Sequence, residues 1–154
     1  MIYLQFAVTT AEESTVGQGS RSLLAEHGLS FYIEAGDRKI LFDAGQNLAL
    51  SNNARVLGIP LDKIDAAVLS HGHYDHTGGL QSLLDCNPNF TLHAHPDVFS
   101  HKVKQQNGEY KLIGIPIEKH AIEHRGAAVK LQRNFLEIAP GKVHFVLNHR
   151  TDFG

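Results

Sequence analysis

The chain has 154 residues, 42% of them hydrophobic and 19% charged, which fits one domain with a real core and excludes disorder as its resting state. Fourteen Lys and Arg against 16 Asp and Glu leave a net charge of -2, which argues against a nucleic-acid surface and against a polybasic membrane patch. Cys86 is the only cysteine, so an internal disulfide and a thiolate metal site are excluded and a reducing, cytoplasmic setting is the natural expectation.

Read in chain order, Ile2 to Thr9 is apolar and β-prone, with neither the basic region nor the long apolar core of a signal peptide. Residues 10–22 have no sustained period and read as a loop. Leu29–Glu34 and Lys39–Phe42, separated by the Gly36-Asp37 turn signal, predict a hairpin. Asn47 is placed to cap a helix carrying Leu50, Ala54 and Leu57, which Gly58 and Pro60 end. Ala66–Leu69 is a short apolar run of the kind buried on both faces of a sheet. After the next loop, Leu80, Leu83 and Leu84 mark a helix that Asn87-Pro88 stops. Phe90–Ala94 is a strand, and Pro96 starts a short helix reaching about Val103. Ile117–Glu123 reads as helix, and Ala127–Leu131, Asn134–Ile138 and Lys142–Leu147 as strands. Strands that alternate with helices early and run together late predict an α/β sheet layered with helices, in one domain over 1–154. No apolar run approaches the roughly 20 residues that span a bilayer.

Eleven histidines are many for this length, and four potential ligands stand within six residues at His71-X-His73-X-Asp75-His76, directly after the buried strand. In extended backbone, residues i and i+2 point the same way, so His71 and His73 can close on one ion. Asp75 and His76, beyond a bend, can face a second. Imidazole and carboxylate without thiolate suit Zn, Fe, Mn or Ni. Two ions about 3.5–4 Å apart would polarise an electrophile and generate hydroxide near neutral pH.

The stretch Ser70-His71-Gly72-His73-Tyr74-Asp75-His76-Thr77-Gly78-Gly79-Leu80 resembles the signature of the metallo-β-lactamase-fold hydrolases. His27-Gly28-Leu29-Ser30, Ile40-Leu41-Phe42-Asp43-Ala44-Gly45, His95-Pro96-Asp97 and Arg150-Thr151-Asp152-Phe153 resemble its dihydropterin–ribofuranosylaminobenzene phosphate synthase-like branch. The resemblance implies an αββα sandwich, of which this sequence matches the N-terminal half. It also implies an enzyme in which a metal-bound hydroxide attacks a phosphoester, ester or related bond of a small-molecule substrate. His71 and His73 would bind one metal, most simply Zn, with Fe or Mn as alternatives. Asp75 and His76 would bind the other, with Asp75 also orienting the attacking water. Asp43 would hold the histidine loop by hydrogen bonds, and His27 would stand at the substrate mouth. The later ligands of the resembled fold have no counterpart in this sequence, and Leu147-Asn148-His149-Arg150 departs from the branch pattern. The competing expectation is therefore a truncated metal-binding half-domain without activity, whose uncovered sheet surface drives self-association. His93 and His95, and the i, i+4 pair His120 and His124, read as polar positions rather than ligands. Cys86, near a helix end, reads as a small core residue rather than a nucleophile.

Overall fold

The computed structural model describes residues 2–6 as backbone, and residues 23–133, 135–139, 141 and 143–146. The predicted loop at 10–22, the end of the first predicted strand, and the Arg150–Phe153 motif lie outside the described residues.

The predicted hairpin forms as β2 (Phe31–Ala35) and β3 (Arg38–Phe42), in the register Ile33↔Ile40, with Gly36 at φ 72 in the connecting turn. β1 (Ile2–Phe6) pairs antiparallel with β2. From β3 onward the sheet becomes parallel. Helix α1 (Leu48–Leu57) crosses from β3 to β4 (Ala66–Val68), closing at Gly58 in the left-handed conformation. After β4 come a single helical turn, α2 (Tyr74–Thr77), and α3 (Leu80–Cys86), which leads into β5 (Thr91–Ala94). A two-stranded hairpin, β6 (Val103–Gln106) with β7 (Glu109–Leu112), then stands off the body. α4 (Lys119–His124) returns the chain to β8 (Ala128–Leu131), parallel to β5. The sheet order is β1-β2-β3-β4-β5-β8.

Alternation along the strands divides the core between the two faces of this sheet. Leu41, Ala67, Leu92 and Ala94 point to one face and pack under Leu50 and Ala54 of α1, Leu83 and Leu84 of α3, and Ile122 of α4. Ile33, Ile40 and Val68 point to the other. There the final hairpin, β9 (Phe135–Ala139) with β10 (Val143–Val146), lays Leu136, Ile138 and Phe145 against them. Phe145 stacks on Phe42 with ring centroids 5.1 Å apart. Helices, a mixed sheet and the start of a second β layer give the α/β architecture that the sequence predicts.

Three local expectations change. The helix from Pro96 to about Val103 is only a 3-10 turn, Pro96–Phe99, and Val103 opens β6 instead. The helix expected at Ile117–Glu123 begins at Lys119, because Pro116 and Ile117 lie in a bend. Asn47 precedes α1, but its side chain makes no capping hydrogen bond. The carboxylate of Glu26, far upstream, accepts the first amides instead.

Backbone segments touch directly at glycines around the histidine loop. A Cβ on Gly78 would stand 1.7 Å from the Gln46 carbonyl oxygen, and one on Gly72 would stand 2.0 Å from that of Val98. Gly78→Ala is expected to lower unfolding stability by about 1–3 kcal/mol, since neither backbone can yield without moving its element. Urea denaturation checks this.

Candidate metal centre

The carboxyl ends of parallel strands are where an open α/β sheet gathers its ligands. Here β3 ends in Asp43 and β4 leads through Leu69 into Ser70-His71. Asp43 is the hub. Its backbone N–H donates to the Val68 carbonyl at 2.8 Å, and its carbonyl accepts from the Ser30 hydroxyl at 3.0 Å. Its φ is 56, a left-handed conformation uncommon outside glycine, Asn and Asp. The turn aims a fully buried carboxylate at the histidine loop.

That carboxylate accepts three hydrogen bonds. Oδ1 takes the Ser70 N–H at 2.8 Å, while Oδ2 takes the Ser70 hydroxyl at 2.7 Å and His76 Nδ1–H at 2.8 Å. The consequences are tautomeric. Ser70 has one hydroxyl proton and gives it to Asp43, so its oxygen accepts from His71 Nδ1–H at 2.8 Å. His71 Nε2 then carries a lone pair, and so does His76 Nε2. One buried acid thereby fixes the ligand-ready form of two imidazoles.

The lone pairs face the remaining donors of the motif. His73 Nδ1–H donates to the His71 Nε2 lone pair at 3.1 Å, with ring centroids 4.5 Å apart. Two imidazole nitrogens on a tetrahedral zinc, each at ~2.0–2.1 Å, stand about 3.3 Å apart, so this pair fits two positions on one ion. His76 Nε2 lies 3.9 Å from Asp75 Oδ2, which makes the second pair. The His71 and His76 rings are 4.2 Å apart, so the two pairs are neighbours. The donors come in twos: among the described residues, no three His, Cys, Asp or Glu side chains form a metal-holding group.

Burial first, and the neighbouring His76 and His73 next, hold the His71 imidazole down to about 4, against 6.5 for a free histidine. It is therefore neutral, as a ligand must be, well below neutral pH.

His27 is exposed, and the next residue, Gly28, lies directly on the backbone of Asp75: a Cβ there would stand 1.7 Å from the Asp75 carbonyl oxygen. His27 thus directly precedes a backbone contact with Asp75. On the other side, His73 forms an antiparallel bridge with Gly114, and the Tyr74 N–H donates to the Ile113 carbonyl. A groove of about 860 Å³ opens beside Tyr74, lined also by Phe99, Leu112, Ile115, Ile117 and His120.

Among the described residues, His93, His95 and His120 have other surroundings. His95 Nδ1 accepts the Asp97 N–H and so caps the 3-10 turn. His93 is buried in β5, and its Nδ1 has no hydrogen-bond partner in the structure. His120 is exposed on α4, beside Glu118. Cys86, expected in the core, is instead exposed at the end of α3, where its thiol, raised by partial desolvation, donates to the Leu83 carbonyl. Sequence reasoning gives no role to Ser70, although it lies inside the motif, nor to Glu26, which no spacing connects to a site 50 residues away.

A family model described as the metallo-beta-lactamase superfamily matches residues 24–152. The chain belongs to the metallo-beta-lactamase superfamily. Within it, the chain is 32% identical over 142 residues to the 7,8-dihydropterin-6-methyl-4-(beta-D-ribofuranosyl)-aminobenzene-5'-phosphate synthase of Methanocaldococcus jannaschii, covering 87% of this chain and 48% of that one. It is 42% identical over 84 residues to an uncharacterised protein of the same organism, covering 53% of this chain and 32% of that one. Among solved structures it is similar to Tm1679, described as a metal-dependent hydrolase of the beta-lactamase superfamily. There the TM-score is 0.57 at 23% identity, over 90% of this chain and 44% of that one. The chain thus spans half or less of the length of these relatives, and the likeness to the solved structure establishes the superfamily fold.

Two outcomes follow from Asp43 and His71. Asp43→Asn puts an amide donor where a carboxylate oxygen accepts, so the fixed tautomers are lost. Zinc affinity is expected to fall about 10–100-fold, as read by competition with a chromophoric chelator. The second outcome is a pH dependence of the metal-free protein. The folded state holds His71 at about 4 while the unfolded chain protonates it near 6.5, so the unfolded state binds more protons between those values. Stability therefore falls as pH drops from about 6.5 toward 4, and melting temperatures across that window should show the fall. In His71→Ala the fall should be shallower.

Proposed function

We propose that this chain carries the metal-binding half of a divalent-metal-dependent hydrolase centre acting on a phosphoester, ester or related bond of a small molecule. The observation that carries the reading is the convergence of His71 Nε2 and His73 Nδ1 at 3.1 Å, next to a second pair formed by His76 and Asp75. In the proposal, His71 and His73 hold one ion and Asp75 and His76 the other, with zinc the first candidate and iron or manganese the alternatives. Such ions polarise the oxygen of the scissile group and lower the pKa of water toward 7. The residues of the chain do the rest. Asp75 holds the attacking water by its carboxylate, Asp43 keeps the imidazoles in their ligand tautomers, and the groove beside Tyr74 receives the body of the substrate, with His27 a second candidate substrate contact on the Asp75 side of the motif. The similar archaeal protein is named a synthase, so hydrolysis as the reaction class rests on the site and the superfamily together.

A second reading is favoured by the pairwise donor supply. A catalytic zinc takes three protein ligands and a water, and the loop offers two to each ion. On that reading the chain binds metal without turnover. We also propose that copies of the chain associate through apolar sheet surface, as expected of half of a two-sheet sandwich. A sedimentation coefficient independent of concentration speaks against that contact.

The deciding experiment is elemental analysis after dialysis against zinc or manganese, with turnover of a chromogenic phosphodiester measured on the same samples. The hydrolase reading expects bound metal and turnover, both lost in His71→Ala and kept in His124→Ala, an exposed position outside the groove. Metal without turnover leaves the second reading, and no metal removes both.

A further inference from the structure

We propose that Glu26 is a positioning residue for the Asp75–His76 half of the donor set, a role that rests on the metal reading above. Its carboxylate stands at the N-terminus of α1. Oε1 accepts the Gln46 and Asn47 N–H groups at 2.9 and 2.8 Å, and Oε2 the Ala49 N–H at 3.3 Å. The Asn47 and Ala49 amides are among those that a helix start leaves without partners, and a negative charge there also meets the positive end of the helix dipole. No acidic residue lies in the first turn of α1 and Asn47 does not cap it, so Glu26 does both jobs from another segment.

The segment it anchors is the one that lies on the site. A second fastening holds it further upstream, where Asn53 of α1 takes the Leu24 N–H at 2.8 Å and donates to the Leu24 carbonyl at 2.9 Å. Two residues past Glu26, Gly28 adopts φ 117 and presses on the Asp75 carbonyl. The Gly45 N–H donates to the Leu29 carbonyl, and Ala44 N–H to the His76 carbonyl at 2.7 Å. Gly78 packs on the Gln46 carbonyl, whose own residue donates its amide to Glu26. Residues 26–29, 44–49 and 75–79 therefore form one backbone knot around Asp75 and His76, with Glu26 bridging its first two strands. His71 and His73 are held by other groups: the Ser70 hydroxyl, the Val98 carbonyl against Gly72, and the bridge to Gly114. Loss of the Glu26 carboxylate thus loosens one half of the donor set and spares the other.

The test is a double-mutant cycle on zinc affinity, which separates action through Asp75 from general loosening. Glu26→Ala is expected to weaken zinc binding about tenfold in the otherwise unchanged chain, and to cause no further loss in an Asp75→Ala background. Glu26→Gln, whose amide oxygen can still accept from Gln46 and Asn47, should retain most of the affinity. An equal loss in both backgrounds, or no loss in either, overturns the proposal. A second arm uses the metal-free protein. Amide exchange at Ala44 and Gly45 should accelerate in Glu26→Ala while exchange at Leu69, which bonds the His93 carbonyl, does not. If the unchanged chain binds no zinc, the metal reading fails by itself. The exchange arm then decides the role of Glu26, and unchanged rates at Ala44 and Gly45 overturn it.

Discussion

A carboxylate with no exposed surface that accepts three hydrogen bonds is the constraint on which the rest of this site depends. Asp43 can stand there only because every donor around it is satisfied, since a buried charge without partners would cost several kcal/mol. The geometry then propagates outward. The Ser70 proton is committed to Asp43, which commits His71 to donate from Nδ1, and His76 is committed by direct contact. Both imidazoles are left with Nε2 lone pairs aimed at the rest of the motif. The chemistry of the loop is therefore set from beneath by β3.

The sheet topology makes this possible. Parallel pairing of β3 with β4 places the two carboxyl ends side by side, in the register Phe42↔Val68. Asp43 directly follows β3 and Ser70 lies one residue beyond Leu69 after β4, so the side-chain hydrogen bonds between them extend the contact past the end of the ladder. Glycines at 28, 72, 78 and 79 then allow the surrounding loops to approach at backbone distance, and the site is walled by main chain on three sides.

Much of this is legible in the amino-acid sequence. The hairpin at β2–β3, the buried strand β4, the leucine face of α3 and the approach of His71 to His73 follow from alternation, helical period and the i, i+2 rule. Asp43 is legible as a partner of the loop only through family resemblance, because in sequence it is an ordinary turn acid. Glu26 is not legible at all: a capping carboxylate supplied 20 residues upstream leaves no local pattern, and Asn47 offers a misleading one. The β6–β7 hairpin escapes for a different reason. Its residues are exposed on both faces, so the alternation that betrays a half-buried strand is absent. Gly72 reads in sequence as room for a metal, whereas the fold uses it to let the loop touch the Val98 carbonyl.

The parallel pairing of β3 with β4 also has a kinetic side. Asp43 reaches Ser70 across 27 residues and His76 across 33, and both contacts wait for a crossover through α1. Contacts of that separation form late, because loop closure precedes the gain from the contact. His71 and His73, by contrast, are two residues apart and can chelate an ion in the unfolded chain. On the proposed metal reading, metal added during refolding would meet this pair before the scaffold that selects its tautomers exists. Binding to that early pair would stabilise the unfolded state as well as the folded one and so reduce the net stabilisation of the native protein.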